Sequence, residues 1–226
     1  MAPGDVKQGA LGDCWLLGAF SCLATNPQLL QNLIVYDGME YGFCVFQFFK
    51  NGEWRRVFVD TFIPFNPSGK HPLYAHCQDP NEFWVPLLEK AYAKLHGSYE
   101  KLHGGAMNIG LVDLTGGIAE KFNFKDPATA ELIATGALWK MMKRFQASAF
   151  LMGCSNSQKD KDGLQEEGMG NQGILFNHAY SVIDVREVDS LRLIRLRNPW
   201  GHGEWTGAFS DDDEEWDKHK GLKDKL

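Results

Sequence analysis

The residues best suited to chemistry begin with Cys14, which stands directly after Gly12-Asp13 and directly before the apolar run Trp15-Leu16-Leu17-Gly18-Ala19-Phe20. That run has helical length and meets its first strong stop signal at Asn26-Pro27, so a helix is predicted from Cys14 to about Ala24. Cys14 then sits at a helix N-terminus, where unpaired N–H groups and the positive dipole end stabilise a thiolate. A thiolate near neutral pH is what a cysteine nucleophile requires. Gln8 lies six residues earlier, in a glycine-rich entry to the helix, and its side-chain amide can donate to an oxyanion formed beside the sulfur. A base and an orienting group follow far downstream. His178 opens His178-Ala179-Tyr180-Ser181-Val182-Ile183, and Asn198 lies in Arg197-Asn198-Pro199-Trp200-Gly201. The order Cys, His, Asn, with the last two far from the first, is the layout of a thiol protease whose triad is assembled across a cleft.

The elements that must position these groups are legible in outline. Tyr41 to Phe49 and Trp54 to Asp60 read as strands separated by Lys50-Asn51-Gly52-Glu53, a strong hairpin signal. Pro64 to Pro72 reads as a loop. Phe83 to His96 has apolar residues at helical spacing with lysines on the outer face. Thr115-Gly116-Gly117 is the best domain boundary, because two glycines allow a hinge. One helix is predicted over roughly Ala128 to Arg144, opened by Asp126-Pro127. Strands are predicted at Ala149 to Gly153, Ala179 to Val185 and Leu191 to Arg197. Ser155 to Gly173 is polar and long for a loop, the length at which loops beside an active site serve as lids; a solvated surface excursion is the alternative.

Composition narrows the classes. The chain has 226 residues, 44% of them hydrophobic and 12% aromatic, enough for a packed core in one large domain or two small ones. A net charge of −6 argues against a nucleic-acid or anionic-membrane surface. No apolar run is long enough to span a bilayer, and the start does not read as a signal peptide. Five cysteines is an odd number, which argues against a disulfide framework, and Cys22, Cys44, Cys77 and Cys154 read as ordinary core or surface thiols. A reduced, cytoplasmic setting is expected. Gly168 to Gly173 fits a dinucleotide-binding glycine pattern by letter but precedes a strand rather than a helix, and the remaining histidines lack zinc-ligand spacing.

Taken in order, Gln8 to Trp15, Asn177-His178-Ala179-Tyr180-Ser181-Val182 and Arg197 to Gly201 resemble the protease core of the calpain family. Glu82-Phe83-Trp84, Leu87 to Lys94 and Leu114 to Glu120 resemble it as well, so the likeness covers nearly the whole chain. It implies an α+β fold of the papain-like type. Residues 1–116 would form a mainly helical first lobe with Cys14, and residues 117–226 a β-rich second lobe with His178 and Asn198, the active site lying in the cleft. The family's second lobe runs on past residue 226, so this one is expected to be truncated at its C-terminal end. Trp200 would shield the His178–Asn198 contact and, in resembling enzymes, wedges between the lobes when calcium is absent.

Calcium is the cofactor the resemblance implies. Asp211 to Trp216 fails as an EF-hand loop for want of glycine at its sixth position. The matching family positions are Asp5 and Glu82 in the first lobe and Glu204 and Asp211 in the second. The expected function is that of a calcium-dependent cysteine endopeptidase making limited cuts in protein substrates, with regulatory domains flanking the core in a longer parent. Two other readings stay open. A transglutaminase-type acyltransferase also uses Cys, His and calcium but usually has Asp as the third member. A non-catalytic calpain-like interaction module would need none of this chemistry.

Overall fold

The computed structural model describes residues 1–69, 71–157, 168–219 and 221–222. A two-residue strand, β1 (Val6–Lys7), leads through a glycine-rich loop into α1 (Cys14–Leu23), all ten of whose residues are buried. The Asn26 side chain accepts the Leu29 N–H and Pro27 supplies the first helical residue, so α2 (Pro27–Leu33) begins where α1 stops. A three-stranded antiparallel sheet follows, in the order β2 (Ile34–Gly38), β3 (Phe43–Lys50), β4 (Glu53–Asp60). Its tight turn is Asn51-Gly52, both at positive φ (54° and 85°), as a two-residue hairpin loop demands. Strand β5 (His76–Cys77) pairs with β1, and α3 (Trp84–His96) and α4 (Met107–Thr115) complete this half. Helix α4 ends at Gly116, left-handed at φ 69°.

α1 runs through the core of this half. Leu16, Leu17, Phe20 and Leu23 share one apolar cluster with Phe48, Val85, Tyr92 and Leu114. Each fully buried side chain of that size contributes roughly 1.5–3 kcal/mol of transfer free energy. A polar tie crosses the same half: the Lys50 ammonium and the Tyr92 hydroxyl both donate to Asp113 Oδ2 at 2.6 Å, joining β3, α3 and α4. Residues 1–116 are therefore mixed helix and sheet rather than mainly helical.

The second half opens with α5 (Pro127–Ala134) and α6 (Ala137–Ala147). The single helix expected over Ala128 to Arg144 is thus two, because Gly136 takes a left-handed φ of 70° and its N–H bonds back to the Ile133 carbonyl. Three antiparallel strands follow in the order β10-β9-β6: β6 (Met152–Asn156), β9 (His178–Val188) and β10 (Leu191–Arg197). The strand expected at Ala149 to Gly153 begins later, since Ala149 is itself at positive φ (56°). Of the long polar loop expected from Ser155, residues 158–167 lie outside the described residues. Its last part forms β7 (Gly168–Met169), paired with β8 (Leu175–Phe176). Helix α7 (Glu215–Lys218) is one turn within the acidic stretch. Antiparallel sheets and separate helices make the chain α+β. Among the described residues, no helix is long and apolar enough to cross a membrane.

Candidate active site

Cys14 is the first residue of α1, and it is 7% exposed. The face of α1 that starts with Cys14 continues through Gly18 and Cys22 at four-residue spacing. Both later positions meet the second sheet. The Ser181 hydroxyl on β9 donates to the Gly18 carbonyl at 2.8 Å, and the Cys22 thiol donates to the Met152 carbonyl on β6 at 3.0 Å. Gly18 permits the approach, because a Cβ there would lie 2.3 Å from Met107 Cε. The strand seated on this face is the one that begins with His178.

His178 is fully buried, and its Nε2 lies 2.7 Å from Asn198 Oδ1. The Asn198 amide can face only one way. Its Nδ2 donates to the carbonyls of His202 (2.8 Å) and Gly203 (3.3 Å), while Oδ1 also accepts the Trp200 N–H at 3.0 Å. Oδ1 is therefore the atom facing the imidazole. Nε2 must carry the proton and donate it, which leaves Nδ1 with the lone pair a base needs. The Trp200 ring packs edge-on against the imidazole at a centroid distance of 5.0 Å, and Tyr180 does so from another side at 5.0 Å.

Gln8 lies at the entrance of the loop before Cys14. Its backbone N–H donates to the Pro199 carbonyl at 2.9 Å, and its side-chain Nε2 donates to the Leu11 carbonyl at 2.8 Å. Two more bonds join the same N-terminal segment to the Asn198 turn: Lys7 Nζ to the Gly201 carbonyl at 3.2 Å, and Arg197 Nη2 to the Gly4 carbonyl at 2.9 Å. Lys7 lies so close over Gly201 that a Cβ there would meet Nζ at 2.2 Å. Partial burial, then Arg197, holds the Lys7 ammonium below its ordinary range, against the opposite pull of Glu204.

Asp5 and Glu82 converge. Pairing of Val6 with Cys77 brings the two segments together, and both carboxylates lie 3.6 Å from the Met1 amine nitrogen. Glu82 Oε2 is buried with no hydrogen-bond partner. Two convergent carboxylates, one with an unsatisfied oxygen, suit a hard cation completed by carbonyl or water oxygens. Glu204 instead has Lys7 beside it, and Asp211 is exposed. Among the described residues, no three His, Cys, Asp or Glu side chains form a metal cluster, so neither Asp5 with Glu82 nor Glu204 with Asp211 is a closed cage of side chains.

One feature of the site was missed from sequence. Asp13, the residue before Cys14, and Glu89 on α3 are both buried, at 0% and 1% exposure, and both carboxyl oxygens of Glu89 face the Ala75 N–H. The signal was present: Glu89 falls at the same helical spacing as Val85, Leu88 and Tyr92, on the core face of α3. Burial pushes the Cys22 thiol up to about 12, Cys77 to about 11 and Cys44 in the same direction, whereas Cys154 is exposed. No disulfide joins any of the five cysteines.

Comparison with known proteins identifies the family. The family model for calpain family cysteine protease matches residues 1–226. The calpain-type cysteine protease ADL1 of Oryza sativa subsp. japonica is 41% identical over 220 residues, covering 96% of this chain and 10% of that protein. Calpain-8 of Mus musculus is 41% identical over 233 residues, covering 98% of this chain and 32% of its own length. The calpain-2 catalytic subunit of Rattus norvegicus is 40% identical over 220 residues, covering 94% and 30%. The chain thus spans between a tenth and a third of the length of these relatives. On the match along its whole length, the chain belongs to the calpain family of cysteine proteases.

Proposed function

We propose that this chain is the catalytic core of a calcium-dependent cysteine endopeptidase that cuts protein substrates at limited sites. The observation that carries the reading is the His178 Nε2 donation to Asn198 Oδ1 at 2.7 Å, on the strand packed against the helix that Cys14 begins. Residues 1–116 and 117–226 are read as the two lobes of a papain-like fold, with the reacting groups in the cleft between them.

In this mechanism, the Cys14 thiol passes its proton to His178 Nδ1, and the resulting thiolate attacks the scissile carbonyl. The developing oxyanion is held by the Cys14 backbone N–H and by the second Nε2 hydrogen of Gln8, the first being directed at Leu11. His178 delivers its proton from Nδ1 to the leaving amine. It then takes a proton from water as that water attacks the acyl-enzyme, and free Cys14 is regenerated. Asn198 keeps the ring in the required tautomer, and Trp200 keeps water from that bond. Calcium, where bound, would be held by Asp5 and Glu82 with neighbouring oxygens. Glu204 and Asp211 are assigned to a second calcium by family resemblance alone. The cation would supply charge that draws the two lobes into register. Flanking domains of a longer parent, such as the greater length of the relatives allows, would regulate that closure.

The test is hydrolysis of casein and of a fluorogenic peptide, with calcium titrated from chelator to millimolar, beside Cys14→Ser. The expected result is cleavage that rises with calcium and falls by on the order of 10⁴-fold in Cys14→Ser. Cleavage indifferent to calcium would remove the cation from the reading. Amine incorporation without hydrolysis would favour an acyltransferase, and tight partner binding without any turnover a non-catalytic module.

A further inference from the structure

Four residues from four elements meet one helical turn away from Cys14, and the protease mechanism above uses none of them. They are Gly18 on α1, Met107 at the start of α4, Gly153 on β6 and Ser181 on β9. The fully buried Ser181 hydroxyl donates to the Gly18 carbonyl at 2.8 Å, and Ser181 stands opposite Gly153 in the antiparallel β6–β9 pair. The Met107 thioether lies over both glycines. A Cβ on Gly153 would fall 1.9 Å from Met107 Sδ, and one on Gly18 would fall 2.3 Å from its Cε. The two missing Cβ atoms make a slot, and the thioether fills it.

The slot and the reacting groups share their supports. Gly18 follows Cys14 by four residues, about 6 Å along the helix. Ser181 follows His178 by three residues, about 10 Å along the strand. The Ser181 bond draws β9 onto α1. The thioether, entering from α4, stops β6 at a set distance from α1, and β9 with it through their pairing. Close-packed contacts of this kind pass displacements on to their neighbours. A change of separation at Gly18 and Ser181 is therefore a change of separation at Cys14 and His178.

We propose that Met107 is a positioning residue: its thioether, seated between Gly18 and Gly153, sets the distance between the helix that Cys14 begins and the strand that His178 begins. The inference deepens the protease reading and rests on it for its effect on turnover. A thioether suits the task. Met is unbranched and reaches one atom further than Leu, so Sδ can lie on Gly153 while Cε reaches Gly18. Met107 packs against the core cluster from a partly buried position, so the core alone does not dictate its shape.

Paired substitutions test the slot. Gly153→Ala places a methyl where the sulfur lies, in the middle of the Met107 side chain. The folding equilibrium constant, from denaturant melts, should fall at least tenfold. Adding Met107→Ala should raise it again instead of lowering it further. The vacated slot then takes the new methyl, whose next neighbour is the Tyr180 carbonyl oxygen at 3.3 Å. Gly18→Ala meets only the far end of the thioether, so it should cost less and be relieved by the same second substitution. It serves if Gly153→Ala fails to fold.

Turnover and thiol titration separate positioning from packing. Met107→Leu keeps the apolar volume, so the folding equilibrium constant should stay within about tenfold of the wild type. Its kcat should nonetheless fall at least tenfold, with KM within about twofold. The rate of Cys14 alkylation against pH, read in a Cys154→Ser background, should move its inflection to higher pH in Met107→Leu, because an imidazolium held further off stabilises the thiolate less. Additive effects of Gly153→Ala and Met107→Ala in the melts overturn the slot, whether or not any peptide is cut. An unchanged alkylation profile, or unchanged kcat in a chain that is active, overturns the positioning role. A wild type that cuts nothing, with the coupling and the shifted profile both present, leaves Met107 in its role and removes the protease reading instead.

Discussion

Asn198 shows how much of the site depends on one amide. Its nitrogen is held by two carbonyls, so its oxygen is aimed at His178 by the turn and not by the histidine. Asn198→Ala should lower kcat by on the order of 10²-fold with little change in KM, since the ring loses its tautomer and not its substrate contacts. Asn198→Asp should fare no better. A carboxylate would face the His202 and Gly203 carbonyls without a donor, and denaturant melts should record a loss of about 1–3 kcal/mol. The same scale explains why Lys7 was not legible. Its neighbours Gly201 and Glu204 lie on the far side of the chain, and nothing near Lys7 in sequence announces them.

At the scale of elements, glycines separate two kinds of demand. Gly9 needs space: a methyl group there would overlap the Tyr74 backbone, which has no rotamer by which to withdraw. Gly9→Ala should therefore cost about 1–3 kcal/mol and reduce turnover more than tenfold, by displacing the loop that carries Gln8. Gly136 needs a left-handed backbone and little else, its nearest atoms at 3.7 Å or beyond belonging to the Arg192 side chain. Gly136→Ala should cost about 1 kcal/mol in thermal or denaturant melts and leave turnover unchanged. These two residues also mark where sequence reading succeeded and failed. Helices α1 and α3, the Asn51-Gly52 hairpin and strands β9 and β10 were readable, because period, turn residues and length all agreed locally. The break at Gly136 was lost inside a strong helical pattern. Helix α4 was hidden behind the glycines on either side of it. The order Cys14, His178, Asn198 was visible as letters. The burial of Asp13 and Glu89 was not, since nothing in the sequence beside either acid requires it.

For the whole molecule, the N-terminal segment and the Asn198 turn act as one unit, joined through Gln8 to Pro199, Lys7 to Gly201 and Arg197 to Gly4. Lys7→Met should loosen that union, lowering kcat/KM several-fold with a stability loss of about 1 kcal/mol. The molecule is also closed over its reacting atoms: Cys14 is 7% exposed and His178 not at all. An alkylating reagent must wait for the chain to open at Cys14, as at the buried Cys22, Cys44 and Cys77, and Cys154→Ser removes the exposed thiol from the measurement. The rate at which Cys14 takes up such a reagent therefore counts openings of the structure around it. Measured with and without calcium, it turns the proposed nucleophile into a clock for the motion that the protease reading requires.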